Sequence, residues 1–373
     1  MAELFIGLMS GTSLDGADAV LADFSDGRIS VLGHASTAFP ATLRGELLAL
    51  NTPGGVDELH RAALAANSLA RVYAQVTRQL LESTGVAPEA VTAIGAHGQT
   101  VRHRPLEFDE VGYTLQLNNP ALLAELTGID VVAEFRTRDL AAGGQGAPLV
   151  PAFHNALFGE AKQAAGVLNI GGISNLSVLP ALDAPVRTVL GFDCGPGNAL
   201  LDHWCQGHEG HPYDADGRWA ASGQVLPELL SNLLAEPFFG RQPPKSTGRD
   251  LFNPTWLAAR LQGLQAQPAD VQATLAELTA TVCADCVQRY GSEIRQLVVC
   301  GGGALNGHLM SRLAALLPGV QVMSSAARGL PPQQVEAAAF AWLAQAAIRR
   351  LPGNLASVTG ARGGRVLGAI YPA

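Results

Sequence analysis

Leu4-Phe5-Ile6-Gly7-Leu8-Met9 runs into Ser10-Gly11-Thr12-Ser13 and then into a partly alternating apolar stretch over 14–24. An apolar run, a turn of small residues and a second apolar run predict a β-hairpin. The pattern returns in the second half of the chain. There Gly166-Val167-Leu168-Asn169-Ile170 leads to Gly171-Gly172-Ile173-Ser174-Asn175, and then to an apolar run over 176–179. A further strand over 188–192 ends at Asp193-Cys194-Gly195-Pro196-Gly197-Asn198. The recurrence suggests two halves built on one plan. Chance recurrence of Gly/Ser turns between apolar runs is the alternative, and pattern alone leaves both open.

Outward from these hairpins, strands alternate with helices. Leu59, Ala63, Leu64, Leu69, Val72, Val76, Leu80 and Leu81 fall at helical spacing within 56–84, and Pro88 closes that region. A short buried strand over 91–96 ends at His97-Gly98-Gln99-Thr100. A helix over 120–126, with Pro120 in its first turn, is ended by Gly128 and followed by a strand over 129–133. The loop Ala141-Ala142-Gly143-Gly144-Gln145-Gly146-Ala147-Pro148 is a candidate domain boundary. Helices are expected near 199–205, 225–235, 254–262 and 270–290. A strand over 297–300 then enters Gly301-Gly302-Gly303, and a last helix spans about 334–351. The alternation predicts an α/β fold.

The chain has 373 residues, for which about 150 per domain gives two domains. At 48% hydrophobic and 15% charged it is not a disordered chain. A net charge of −8 without a long basic run argues against a general grip on nucleic acid. No apolar run reaches the roughly 18 residues of a membrane span. The N-terminus lacks a basic segment followed by an apolar one, as a secretory signal would need. Five irregularly spaced cysteines fit a reducing, cytoplasmic compartment.

Three glycine-rich turns carry the candidate chemistry. In Gly11-Thr12-Ser13-Leu14-Asp15-Gly16-Ala17-Asp18, backbone N–H groups and small hydroxyls suit a phosphate cradle, and the two aspartates suit Mg²⁺ or its waters. An ordinary polar hairpin turn fits the same residues. Asp193 ends a strand beside a glycine turn that opens a helix. It is either a base facing phosphate or the cap of that helix. Gly301-Gly302-Gly303-Ala304-Leu305-Asn306 lets a flat ring lie against the backbone. Lys245-Ser246-Thr247-Gly248-Arg249 is a cationic loop suited to phosphate or carboxylate. Glu336, in an otherwise apolar helix start, needs a partner or a task, or serves the helix N-terminus. No P-loop occurs, and the dinucleotide fingerprint fails because Leu200 stands at its third glycine position. Cys283 and Cys286 lie within an expected helix without a second pair, so neither zinc nor redox chemistry is expected there. His203, His208 and His211 read as solvated loop histidines.

Taken in order, Gly7 to Asp18, His97-Gly98-Gln99-Thr100, Asn169 to Asn175, Gly191 to Asn198, Lys245 to Arg249 and Gly301 to Asn306 resemble the anhydro-N-acetylmuramic acid kinase family over nearly the whole chain. The resemblance implies two ribonuclease H-like domains of the actin-like ATPase and sugar kinase fold, with ATP in an inter-domain cleft. The domains would be 1–140 and 141–344, with a C-terminal helix of about 345–373 packing back on the first. It implies ATP contacts from Gly11, Thr12, Ser13, Leu14, Asp15, Gly16, Ala17, Asp18, Gly171, Gly172, Gly195, Gly197, Asn198, Gly301, Gly302, Gly303 and Asn306. Mg²⁺ would accompany ATP, with no protein ligand assigned to it.

The implied reaction phosphorylates O6 of 1,6-anhydro-N-acetylmuramic acid while water opens the anhydro bridge at C1, in peptidoglycan recycling. Asp193 would be the base, and Glu336 would help hold the water or a sugar hydroxyl. Gln99, Thr100, Arg136, Lys245 and Arg249 would face the sugar, with Arg136 at its lactyl carboxylate. A homodimer in the cytoplasm is the implied state, with no membrane or nucleic-acid partner. A conventional amino-sugar kinase and a non-catalytic nucleotide-binding regulator are the competing readings.

Overall fold

The computed structural model describes residues 3–11, 14–25, 29–185, 187–248 and 251–373. The chain divides into two compact units. The first comprises residues 1–153 with 334–373, and the second comprises 154–333.

The first unit is built on a six-stranded sheet. Its strands are β1 (Leu4–Met9), β2 (Gly16–Asp23), β3 (Ser30–Ala38), β4 (Val91–Ala96), β7 (Val131–Ala133) and β13 (Ala369–Tyr371), in the order β13-β7-β4-β1-β2-β3. β1 pairs antiparallel with β2, from Leu4 opposite Asp23 to Met9 opposite Asp18, which is the hairpin expected from the sequence. β3 extends it as a meander, and β4 and β7 run parallel to β1 on its other side. Alternation along β1 sends Ile6 and Leu8 to one face and Gly7 to the other. Ile6 and Leu8 join Leu69, Val72, Tyr73, Val76 and Leu80 of the helix Glu58–Thr84 in the unit's core.

The Gly7 face takes the helix Val335–Ile348. Gly7 and Gly95 are register partners on adjacent strands. A Cβ on Gly7 would meet the carbonyl oxygen of Ala337 at 1.8 Å, and one on Gly95 that of Phe340 at 2.0 Å. Two neighbouring glycines and the helix's run of alanines thus let backbone lie on backbone. A helix apolar on all sides needs such burial. A separate hairpin, β5 (Gln99–Pro105) with β6 (Gly112–Leu117), leaves the end of β4.

The second unit repeats the strand plan. β8 (Ala164–Ile170), β9 (Ile173–Leu179), β10 (Leu190–Pro196), β11 (Ile294–Cys300) and β12 (Gln321–Ser324) are ordered β10-β9-β8-β11-β12. Again the first three form an antiparallel meander, and the last two run parallel to the first strand on its other side. The core gathers Leu168, Phe192, Leu297 and Val299 with Leu275, Leu278 and Val282 of the helix Pro268–Tyr290. One strand order therefore occurs twice, which supports duplication over chance recurrence.

Two expectations need adjustment. Residues 345–373 are not one helix. The helix ends at Ile348, and after Pro352 and Gly353 come a short helix, Ala356–Thr359, and β13. The unit limits fall at 153/154 and 333/334, against the sequence-based 140/141 and 344/345. The reason is local. The 141–148 loop is tied to the C-terminal segment of its own unit, by Gln145 N–H to the Thr359 carbonyl (2.8 Å) and Arg362 N–H to that of Ala142 (2.9 Å).

Candidate active site

In the second unit Asp193 sits on β10, opposite Asn175 of β9. The register then slips, so that Cys194 is an extra residue before Gly195 meets Ser174. Such a bulge re-aims the side chains beside it. Asp193 is half-buried. One carboxylate oxygen, Oδ2, accepts from Ser246 Oγ (3.0 Å) and from Thr247 N–H (2.9 Å). Its backbone N–H donates to the Lys245 carbonyl (3.1 Å). Burial pushes the Asp193 carboxyl above its ordinary range, while the Thr247 and Ser246 donors and the Lys245 charge pull it back. The helix-cap alternative fails, because Gly197 is the N-cap of the helix Asn198–Glu209 and no side chain caps it.

The glycine turns of this unit gather at the C-terminal ends of β8 and β11, the edge where open α/β sheets bind ligands. Asn198 N–H donates to the Gly171 carbonyl (2.7 Å), and Gly197 and Ala199 N–H donate to that of Gly172. These amides are thus consumed in joining the two turns, and only other donors of this edge remain for phosphate. A Cβ on Gly197 would meet the Gly171 oxygen at 2.3 Å. Gly301, at φ +77°, passes so close to β8 that a Cβ would lie 2.4 Å from Asn169 Oδ1. Gly302 is exposed, its nearest neighbour the Asn198 amide nitrogen, and Leu305 beside it is also exposed. Gly303 packs on Ile170, and Asn306 Oδ1 caps the helix Gly307–Leu316 through Leu309 N–H (2.9 Å).

Lys245 is a buried residue, with its ammonium 4.8 Å from the Phe238 ring centroid and 3.5 Å from the Phe239 carbonyl oxygen. Arg249 lies outside the described residues. Cys283 and Cys286 of the helix Pro268–Tyr290 lie close to Cys194, the neighbour of Asp193. None of the five cysteines is in a disulfide.

In the first unit the turn after β1 is tight, with Leu14 N–H to the Gly11 carbonyl (3.3 Å) and Leu14 at φ +58°. Thr12 and Ser13 lie outside the described residues. Leu14 and Ala17 are core residues, so only their backbone is available to a ligand. Gly16 is pressed against β3, where a Cβ would meet the Thr37 oxygen at 2.4 Å. Asp15 is exposed, and Asp18 lies 3.3 Å from His34 Nε2.

Gln99, at the start of β5, is buried. Its Nε2 donates to the Gly11 carbonyl (3.1 Å), whereas its Oε1 has no partner among the described residues. Thr100 Oγ1 accepts from Gln116 Nε2 (3.2 Å). Arg136 follows β7 and donates to His97 Nε2 (3.0 Å) and the Gly146 carbonyl (2.8 Å). Its guanidinium is lowered to about 10 by burial, with Glu336 and Asp139 opposing, so it stays charged at neutral pH. Glu336, in the first turn of the helix Val335–Ile348, is raised by burial and by Asp18, with Arg136 opposing. Arg136, Glu336, His97 and Asp18 therefore form one electrostatic cluster at the strand ends of this unit.

Sequence reasoning passed over three of the residues in these constellations. Ser246 and Thr247 lay in a quoted motif but were read for the cations flanking them. Asn118, whose amide oxygen and nitrogen are both buried without a partner among the described residues, follows β6 in a stretch with no motif.

Two units on one strand plan, each with glycine turns at its strand ends, define the class of actin-like ATPases and sugar kinases. Within that class, the model of the family described as anhydro-N-acetylmuramic acid kinase matches residues 3–373, and the chain belongs to that family. Its relatives of that description include one from Variovorax paradoxus, 72% identical over 100% of this chain and 99% of its own length. Another, from Bordetella pertussis, is 60% identical over 99% of this chain and 96% of its own. Among solved structures, a ROK family glucokinase from Streptomyces griseus in complex with glucose and AMPPNP is similar at a TM-score of 0.42. It is 17% identical, with 91% of this chain and 98% of that one covered.

Proposed function

We infer that this chain uses ATP to phosphorylate O6 of 1,6-anhydro-N-acetylmuramic acid while water opens the anhydro bridge, giving N-acetylmuramic acid 6-phosphate and ADP in peptidoglycan recycling. The observation that carries the reading is Asp193. In a chain of this kinase family, a half-buried carboxylate at the β10 bulge has one oxygen held by two donors and the other, Oδ1, without a partner among the described residues. Water is a poor nucleophile at neutral pH and needs a base within hydrogen-bond reach. Asp193 Oδ1 takes the proton as water attacks C1. The C1–O6 bond breaks, O6 keeps the electron pair and attacks the γ-phosphorus, and ADP leaves. Arg136 supports the reading as a charged guanidinium for the lactyl carboxylate. Glu336 stands beside it as an acceptor for a water or sugar hydroxyl.

The glycine turns support ATP as the phosphoryl donor, and the exposed turn Gly302–Leu305 leaves backbone open for a purine. Mg²⁺ prefers hard oxygen ligands and keeps most of its waters. Asp15 and Asp18 fit that preference, although no cluster of three or more metal-binding side chains occurs among the described residues. Bound there, the ion would offset charge on the phosphate oxygens. A cytoplasmic homodimer completes the reading, on the family resemblance. No helix among the described residues is long and apolar enough to cross a membrane.

The test is incubation with ATP and the anhydro sugar in ¹⁸O-labelled water, followed by mass analysis. A product heavier by phosphate and water, labelled at C1, is expected. A phosphorylated product with its anhydro ring intact, or no product, refutes the reading.

A further inference from the structure

Lys245 is a buried cation with no carboxylate partner among the described residues. A buried charge of this kind is costly and calls for a reason. Among the described residues its ammonium meets the Phe238 ring and the Phe239 carbonyl, both in the turn Pro237–Gly240. Its own carbonyl accepts the Asp193 N–H. The next two residues supply both donors to Asp193 Oδ2. The loop is thus fixed at one end by a buried side chain and closes on the carboxylate at the other.

We propose that Lys245 is a positioning residue for Asp193. Its side chain anchors the 245–247 loop, so that Ser246 and Thr247 hold Oδ2 and leave Oδ1 to receive the proton. It does not contact the sugar. The proposal rests on the reading of Asp193 as the base.

The electrostatics agree with the geometry. Among the described residues Lys245 is the charged side chain that acts on Asp193, and it favours the ionised carboxylate against burial. The elements packed around Asp193 offer little else. β9 carries no charged residue. The helix Pro268–Tyr290 brings Cys283 and Cys286, with Asp285 and Arg289 paired to each other (2.8 Å). The turn Pro237–Gly240 is flanked by Glu236, paired with Arg260, and by Arg241 over the Phe238 ring. Replacing Lys245 with a neutral side chain of similar length removes the favourable charge, so the carboxyl rises further. A base must be ionised to act, and the acidic limb of kcat therefore moves to higher pH.

The experiment compares wild type, Lys245→Met, Ser246→Ala, Ser246→Thr and Asp193→Asn as full chains, with kcat and both KM values measured across the acidic and neutral range. For Lys245→Met we expect kcat to fall about 10–100-fold, as loss of positioning does. The acidic limb moves up, and KM for the sugar stays within about twofold. A raised KM for the sugar, with the limb and kcat unchanged, overturns the proposal and makes Lys245 a substrate contact. Should Lys245→Met fail to fold, Ser246→Ala decides. An upward limb that Ser246→Thr restores supports the loop's role, and an unmoved limb overturns it. Wild type that makes no ring-opened product sinks the proposed function, and this inference with it. Active wild type and inert Asp193→Asn leave that function standing, so the other variants then judge Lys245 alone.

Discussion

Asp193 and Glu336 are both drawn upward by burial, but their neighbours give them different tasks. Asp193 has one oxygen held and one without a partner among the described residues, which suits the proposed role of base. Glu336 has a guanidinium in its field and Asp18 opposing it, the arrangement of a group that holds and orients. Asp193→Asn keeps the shape and both donors' neighbourhood but cannot take a proton. Its kcat is expected to fall about 10²–10⁴-fold while ATP affinity stays unchanged, as titration calorimetry would record. Arg136 gives only part of its donor set to His97 and Gly146, which fixes the plane of the guanidinium and leaves N–H groups for a carboxylate. A lysine offers a point charge without that plane, so Arg136→Lys is expected to raise KM for the sugar about tenfold or more. Equal KM values in the two enzymes would remove Arg136 from the carboxylate site.

The helix Val335–Ile348 and the loop before Pro148 show how elements are held in place. Ala substituted at Gly95 drives a Cβ into the Phe340 backbone, which no rotamer change can relieve. Strain from overpacking costs about 1–3 kcal/mol, so Gly95→Ala is expected to lower the denaturant midpoint accordingly. The same change at Gly45, inside the helix Ala41–Asn51 with nothing near its Cβ, is expected to raise the midpoint slightly, because alanine favours a helix over glycine. Asp139 ties the loop to the C-terminal segment. This buried carboxylate accepts from Gly146 N–H (2.7 Å), Thr359 Oγ1 (2.7 Å) and Asn354 Nδ2 (2.5 Å). Each hydrogen bond to a charged group contributes about 1.5–3 kcal/mol, so Asp139→Ala is expected to cost several times a typical surface change. Because Gly146 also receives Arg136, that variant is expected to raise KM for the sugar as well.

At the scale of the molecule, each unit has its own core, but only the second is a single stretch of chain. Residues 154–333 made alone are expected to melt cooperatively. Residues 1–153 alone lack the helix that covers the Gly7 face, and are expected not to. Circular dichroism melts of the two fragments test this. Acid should weaken the whole chain. His97 is held well below its usual 6.5, and His154 is held at about 3, both first by burial. Unfolded histidines take up protons as pH falls through about 6.5, while these two in the folded chain do not. Stability is therefore expected to be insensitive to them above that pH and to fall below it. The slope is up to about 1.4 kcal/mol per pH unit for each histidine. Urea unfolding at successive pH values gives the slope, and a flat profile between neutral and mildly acidic pH would contradict it.

Local pattern was enough for β1–β2 and β8–β9, because both runs of each hairpin are apolar and the turn between them is small. It was not enough for β3, whose Gly33-His34-Ala35-Ser36-Thr37 has little burial of its own and is a strand through pairing with β2. β12 and β13 are likewise short edge strands, recruited by β11 and β7. The ordered glycine motifs marked the strand ends where the chemistry gathers, since glycine is required wherever backbones touch. They did not reveal that the Gly197 and Asn198 amides are used within the protein, nor that Cys194 would meet Cys283 and Cys286. Nor did they reveal that Lys245 turns inward while its neighbours grip Asp193. Chain order carries the identity of each residue and the period of its local neighbours. Which donor reaches which carboxylate, and whether a cation meets water or a ring, depends on segments far apart in sequence that only packing brings together.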